Sequence, residues 1–239
     1  MKHVFTLLSL ISALSFSLSL HAKIDTQWKK IKERKGVEVF EGDVPGSKVV
    51  AFRGVSEINA PMANVVSVIH DVSRIKEWMS DLEESRVLQR ASTLEKIEYN
   101  HTKTPWPLSD RDFVYSVKVV VNKESKTVDI LIENATHPDA PTRPGIIRGS
   151  LMSSRYFLKS IDGGKRTHIE VEILADPNGS VPKWVVNLFQ SAWPSNTISN
   201  IGKIATEPGY KIHPDIANYM KAMNLSAKNA SEKNKSKVN

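Results

Sequence analysis

The strongest constraint on the fold is a train of period-two strand patterns through the middle of the chain that ends in one long helical pattern. Phe113–Val121 is nearly continuous β-branched sequence, Asn122-Lys123-Glu124-Ser125 turns it back, and Thr127–Asn134 forms the return. Such residues favour the pleated, extended backbone over a helix. A loop with three prolines, Thr136–Pro144, leads into a further strand pattern, Ile146–Ile161. Asp162-Gly163-Gly164-Lys165 reads as a hairpin turn, and His168–Leu174 alternates again. Past Asp176-Pro177 a helix opens near Ser180, with Pro182 tolerated in its first turn. Its apolar positions Trp184, Leu188, Phe189 and Trp193 continue past Pro194, a residue expected to kink it, to Ile198, Ile201 and Ile204.

Upstream, residues 24–34 read as an opening helix. Val37 to Phe40 and Lys48–Ile58 read as strands, and Pro61 opens a helix carrying Val65, Val66, Ile69 and Ile75 up to Trp78. Ser85–Gln89 and Leu94–Thr102 return to strand. A large antiparallel sheet has a face to cover, and the last helix is its natural cover. The fold class is therefore α+β, a curved antiparallel sheet wrapped around a long C-terminal helix. No repeat, linker or second domain interrupts residues 23–210.

Residues 1–22 have the layout of a secretory signal peptide: Lys2, an apolar run from Val4 to Leu20, then Leu20-His21-Ala22 before Lys23. The expected location is periplasmic or secreted. Residues 211–239 form an extension, expected to be disordered from about 226, where lysines cluster without aromatic residues. The chain has no cysteine, so neither disulfides nor a cysteine-linked lipid anchor is available. Its formal charge of +7 is compatible with transient contact with anionic membranes. No nucleic-acid partner is expected, and a monomer is.

No Gly-x-Ser-x-Gly, His-Glu-x-x-His or Gly-x-Gly-x-x-Gly pattern occurs, and Gly163–Thr167 lacks the glycine that a phosphate loop needs. The histidines have no partners at helical or strand spacing, so the sequence offers no metal site. It implies no cofactor and no catalytic constellation. It does offer aromatic and branched apolar residues on elements that should face each other, the materials of a core or of a core with a hollow in it.

Three blocks carry a resemblance. "PWPLSDRDFVY" (105–115), "VIHDVSRIKEWMSDLEESRVL" (68–88) and "RPGIIRGSLMSSRYFLKSIDGGKRTHIEVEILADPNGSVPKWVVN" (143–187) resemble, in order, blocks of the START family, the steroidogenic-acute-regulatory-related lipid transfer domains. The resemblance spans about Asp25 to Pro208. It implies the helix-grip fold, with a tunnel between sheet and last helix that binds or transfers a lipid or sterol without changing it. Helix-grip relatives also include polyketide aromatase/cyclases, so the alternative is an enzyme using Glu98, Arg53 and Arg111 as acid/base and anchoring groups.

The resemblance also implies site residues. Cholesterol-transferring members hold an acidic and a basic residue in the cavity; those positions fall on Glu98 and Val117, so the basic half is absent. Glu98 faces either the cavity or solvent, and Arg53 is either its substitute partner or an outward residue. Arg111 either fixes a strand start, with Asp112 or through backbone bonds, or anchors a headgroup. Trp106 is expected to pack beneath the sheet corner. Trp184, Leu188, Phe189 and Trp193 supply the helix wall, and loops 122–126 and 136–144 are the candidate lids.

Overall fold

The computed structural model describes residues 23–181 and 183–219, and side chains of all of these except 183–190. The expected signal peptide and the expected disordered tail lie outside the described residues. Ten strands run β1 (Lys29–Arg34), β2 (Val37–Gly42), β3 (Ala51–Ile58), β4 (Leu82–Ser92), β5 (Glu95–Thr102), β6 (Asp110–Asn122), β7 (Thr127–Asn134), β8 (Ile146–Arg148), β9 (Ser150–Ile161) and β10 (Arg166–Asp176). They form one sheet in the order β1-β2-β3-β10-β9-β7-β6-β5-β4, with β8 added in parallel to β6. The other pairings are antiparallel. Helices α1 (Met62–His70) and α2 (Ile75–Trp78) follow β3, and α3 (Lys183–Ala205) closes the order.

The concave face of the sheet grips α3. Val37, Val39, Tyr115, Val117, Ile130, Tyr156, Leu158, Ile169 and Val171 meet Val65 and Val68 of α1 and Ile198, Ile201 and Ile204 of α3 in one core. Each such large side chain contributes roughly 1.5–3 kcal/mol when fully buried. α3 approaches the sheet closely at Gly54, where a Cβ would fall 2.7 Å from the Pro194 Cβ. Pro194 thus sits inside one unbroken helical element and packs on β3.

Several elements differ from the sequence reading, each for a local reason. Residues 29–34 are not helix but strand, because Lys35 and Gly36 adopt positive φ and fold β1 back on β2 as a hairpin. As an edge strand, β1 tolerates its run of charged residues. The single run 146–161 is split at Gly149, whose Cβ would lie 2.3 Å from the Phe113 ring, so β8 and β9 follow different neighbours. The 135–145 loop is not over the helix side of the sheet. Ala140 and Ala135 cover Tyr99, Val114 and Ile97 on the opposite face. Beyond α3 the chain packs back on α1: Tyr210 Oη lies 3.1 Å from Ser67 Oγ, and Ile216 is buried.

Candidate functional site

Where α3 lifts from the sheet, a cavity of about 320 Å³ remains. That lies at the small end of ligand pockets, which span about 300–1,000 Å³. Its walls are Phe113 and Tyr115 from β6, Ile132 from β7, Leu151 and Tyr156 from β9, and Trp193 from α3. Alternation places the strand side chains on one face of three neighbouring strands, and the irregularity in β9 between Leu151 and Ser153 brings Leu151 to the same face as Tyr156. Trp193 meets Tyr156 edge-on, with ring centroids 6.4 Å apart. A larger hollow of about 450 Å³, between residues 43–50 and 176–181, is bordered by Asp43, Lys48, Asp176 and Asn178 and lacks such walls.

The deep end of the cavity is a hydrogen-bonded chain. Asn100 Nδ2 donates to Tyr115 Oη at 2.6 Å, which donates to Glu98 Oε2 at 3.1 Å. Glu98 Oε1 lies 2.6 Å from Lys96 Nζ, which also donates to the His70 carbonyl at 2.9 Å. Glu98 and Lys96 are each 4% exposed. Burial, and next the Glu98 charge, push the Tyr115 phenol well above its usual range, so it remains a donor. The Asn100 Oδ1 atom is buried without a partner.

The mouth is built differently. Thr104, Pro105 and Leu108 on one side and Pro177 and Val181 on the other border it, with Arg111 between them. Arg111 is 5% exposed and donates only to backbone: to Pro177 O and Asn178 O at 3.3 Å, and to Ser109 O. It meets no carboxylate at ion-pair distance among the described residues. Burial, opposed by Asp110, lowers its pKa. The corner that carries Pro105 and Leu108 is closed by Asp110, which accepts from Thr104 N–H at 3.0 Å and meets His101 Nε2 at 2.9 Å.

A family model described as "START domain" matches residues 15–197. The chain belongs to the START domain family. An uncharacterized protein of Pseudomonas aeruginosa is 27% identical over 198 residues, which cover 83% of this chain and 96% of that one. Bovine phosphatidylcholine transfer protein is 23% identical over 163 residues, 67% of this chain and 75% of its own. The solved structure of a STAR-related lipid transfer protein fragment from Xanthomonas axonopodis superimposes with a TM-score of 0.65 at 26% identity, covering 75% of this chain and 99% of that one.

Within this START domain the expected site residues fall in different places. Arg111 and Trp193 line the cavity; Glu98 and Val117 lie beyond its Tyr115 wall. Glu98 is not solvent-facing, and its cation is Lys96, directly across from Val117 in the β5–β6 register. Arg53 is not its partner. It points to the other face of the sheet, against the Trp28 and Phe40 rings, and pairs with Glu170. Glu98, Arg53 and Arg111 are therefore not brought together as an acid/base and anchoring set. The side chains of Trp184, Leu188 and Phe189 lie outside those described, although their backbone belongs to α3.

Of the two ways Arg111 could fix the strand start, it uses backbone bonds, to Ser109, Pro177 and Asn178. It does not pair with Asp112, because consecutive strand residues face opposite ways. Asp112 binds Arg148 at 2.7 Å on the other face. Trp106 is not tucked under the corner but is 92% exposed, since Pro105 and Leu108 take the inward positions on either side of it. Lys96, Asn100 and Tyr156 escaped the sequence reading. Its available signal was the Lys96-x-Glu98-x-Asn100 spacing, which a half-buried strand would turn to water.

Proposed function

We propose that this START domain binds a lipid in the cavity between α3 and the concave sheet face, and carries it between membranes. The carrying observation is the apolar wall formed by Phe113, Ile132, Leu151, Tyr156 and Trp193. An apolar chain placed there is removed from water at roughly 25 cal/mol per Å² of buried surface. The names of the bovine and Xanthomonas relatives support the same reading. Arg111, a buried cation answered only by carbonyl dipoles, favours an anionic headgroup at the mouth. Arg111 and Trp193 are the ligand contacts in this account, while Glu98 and Val117 support the wall behind Tyr115.

Loading requires the mouth to widen, and the 103–108 corner is the lid in this account, because it borders the cavity while no residue of loops 122–126 and 136–144 does. Exposed Trp106 on that lid docks it to a bilayer, with the basic chain drawn to anionic lipid. The setting is extracytoplasmic, after loss of residues 1–22. The test mixes purified chain with vesicles of phosphatidylcholine, or of phosphatidylcholine with phosphatidylglycerol. The chain is re-isolated by gel filtration and its extracted lipid measured. One lipid per chain, enriched in phosphatidylglycerol, is expected; a chain that returns without lipid from both vesicle types contradicts the proposal.

A further inference from the structure

We infer that His70, His213 and Asp215 bind a first-row divalent transition metal, with Zn²⁺ the best match, and that the metal clasps the segment after α3 to the end of α1. Their donor atoms all lie within 4.8 Å of one another. His70 Nε2 is 3.5 Å and His213 Nδ1 is 4.0 Å from Asp215 Oδ2, and the two imidazoles meet edge-on with centroids 5.1 Å apart. Donors on a tetrahedral zinc with bonds of about 2.0–2.1 Å stand roughly 3.3 Å apart. One pair is already close to that spacing. The others close by rotation of His213 and Asp215, both part-exposed.

The independent observation is His70 itself. It is buried, yet its Nε2 meets only the Asp215 carboxylate, at 3.5 Å, and makes no well-formed hydrogen bond. A buried ring nitrogen so weakly satisfied is costly, and a metal ion between it and Asp215 supplies the partner. Two imidazoles and one carboxylate suit zinc and its neighbours rather than magnesium or calcium, which prefer oxygen ligands throughout. The exposed edge at Asp215 leaves a fourth position for water and a path of entry.

The surrounding groups are compatible with a cation. Lys96 is neutralised by Glu98 and directed at the His70 carbonyl. Arg90, 3.4 Å from Asp215, has a side chain exposed enough to swing into solvent when the metal takes the carboxylate. Asp215 N–H donates to His213 Nδ1 at 3.3 Å, a long bond that metal at Nδ1 would replace. His213 N–H donates to Ser67 Oγ at 2.5 Å, so the backbone of the segment is already fixed beside α1.

The test uses the full chain without a histidine tag, stripped with chelator and titrated with Zn²⁺ by calorimetry and with Co²⁺ by visible spectroscopy. One equivalent should bind, the Co²⁺ spectrum should take the intense four-coordinate form, and Zn²⁺ should raise the unfolding temperature. His213→Ala and Asp215→Asn, both at part-exposed positions, should each weaken Zn²⁺ at least about ten-fold, about 1.4 kcal/mol. Both should remove the Co²⁺ bands while leaving the circular dichroism unchanged. Absence of stoichiometric binding, or equal binding by the doubly substituted chain, overturns the site.

Discussion

At the deep end of the cavity Lys96 is answered by Glu98, and Glu98 also accepts from Tyr115, so every charge has a partner from the same chain. At the mouth Arg111 is equally buried but is met only by the carbonyls of Ser109, Pro177 and Asn178. Both ends bury a cation, yet only one leaves it without an anion. A charge neutralised internally holds the fold; a charge left to dipoles is available to a ligand. Deep-end substitutions should therefore act on stability, and mouth substitutions on what is bound and how it is delivered.

The largest effect belongs to Glu98→Ala, which leaves Lys96 buried and unpaired. It should cost about 3–5 kcal/mol in urea unfolding, most of it recovered in Lys96→Met/Glu98→Leu. If the single variant unfolds like the wild type, the deep end is not structural and the contrast fails. Arg111→Met should cost less, about 1–3 kcal/mol, by leaving carbonyls unsatisfied. Its distinguishing effect is a roughly ten-fold loss of phosphatidylglycerol uptake, about 1.4 kcal/mol, with phosphatidylcholine uptake retained. Equal loss of both lipids would make Arg111 part of the frame only.

The mouth also has an acid-sensitive latch. The Thr104 N–H bond, aided by His101 and opposed by burial, holds the Asp110 carboxyl below its ordinary value. A depressed pKa gives stability that is complete above the ordinary value, near 3.8, and lost as pH falls through the lower folded value. Amide exchange across residues 104–108, corrected for intrinsic rate, should speed up below about pH 4. Asp110→Asn should show the faster exchange at neutral pH, and a deep-end reporter such as the Asn100 amide should not follow. The smallest effect on stability is that of Trp106→Ala, within about 0.5 kcal/mol because the ring is exposed. Vesicle association and lipid exchange should nonetheless slow, and unchanged exchange would remove the corner as the docking element.

The sheet and the gripped helix were legible because period-two alternation and turn residues record which face each strand buries. β7 was legible to the residue, Thr127–Asn134. β5 was legible as a strand, read from Leu94 and starting at Glu95, but its inward face was not, because both of its faces are covered. Ile97 and Tyr99 pack under the 135–145 loop, so the apolar half of the alternation points away from the helix and the polar half, Lys96-Glu98-Asn100, points in. No pattern within one strand shows which face a distant loop will cover. The same limit hid the meeting of His70 with His213, made by a segment that folds back on α1 after α3, and the outward turn of Trp106.

The most direct test is native mass spectrometry of the chain purified without detergent from the cells that produce it, beside Ala192→Phe, which adds a ring to the cavity wall from α3. The wild type should carry a discrete lipid mass that disappears on denaturation, and Ala192→Phe, folded by circular dichroism, should carry little or none. The same adduct on both chains, or no adduct on either even after incubation with total lipid extract, would contradict the cavity as the seat of a lipid.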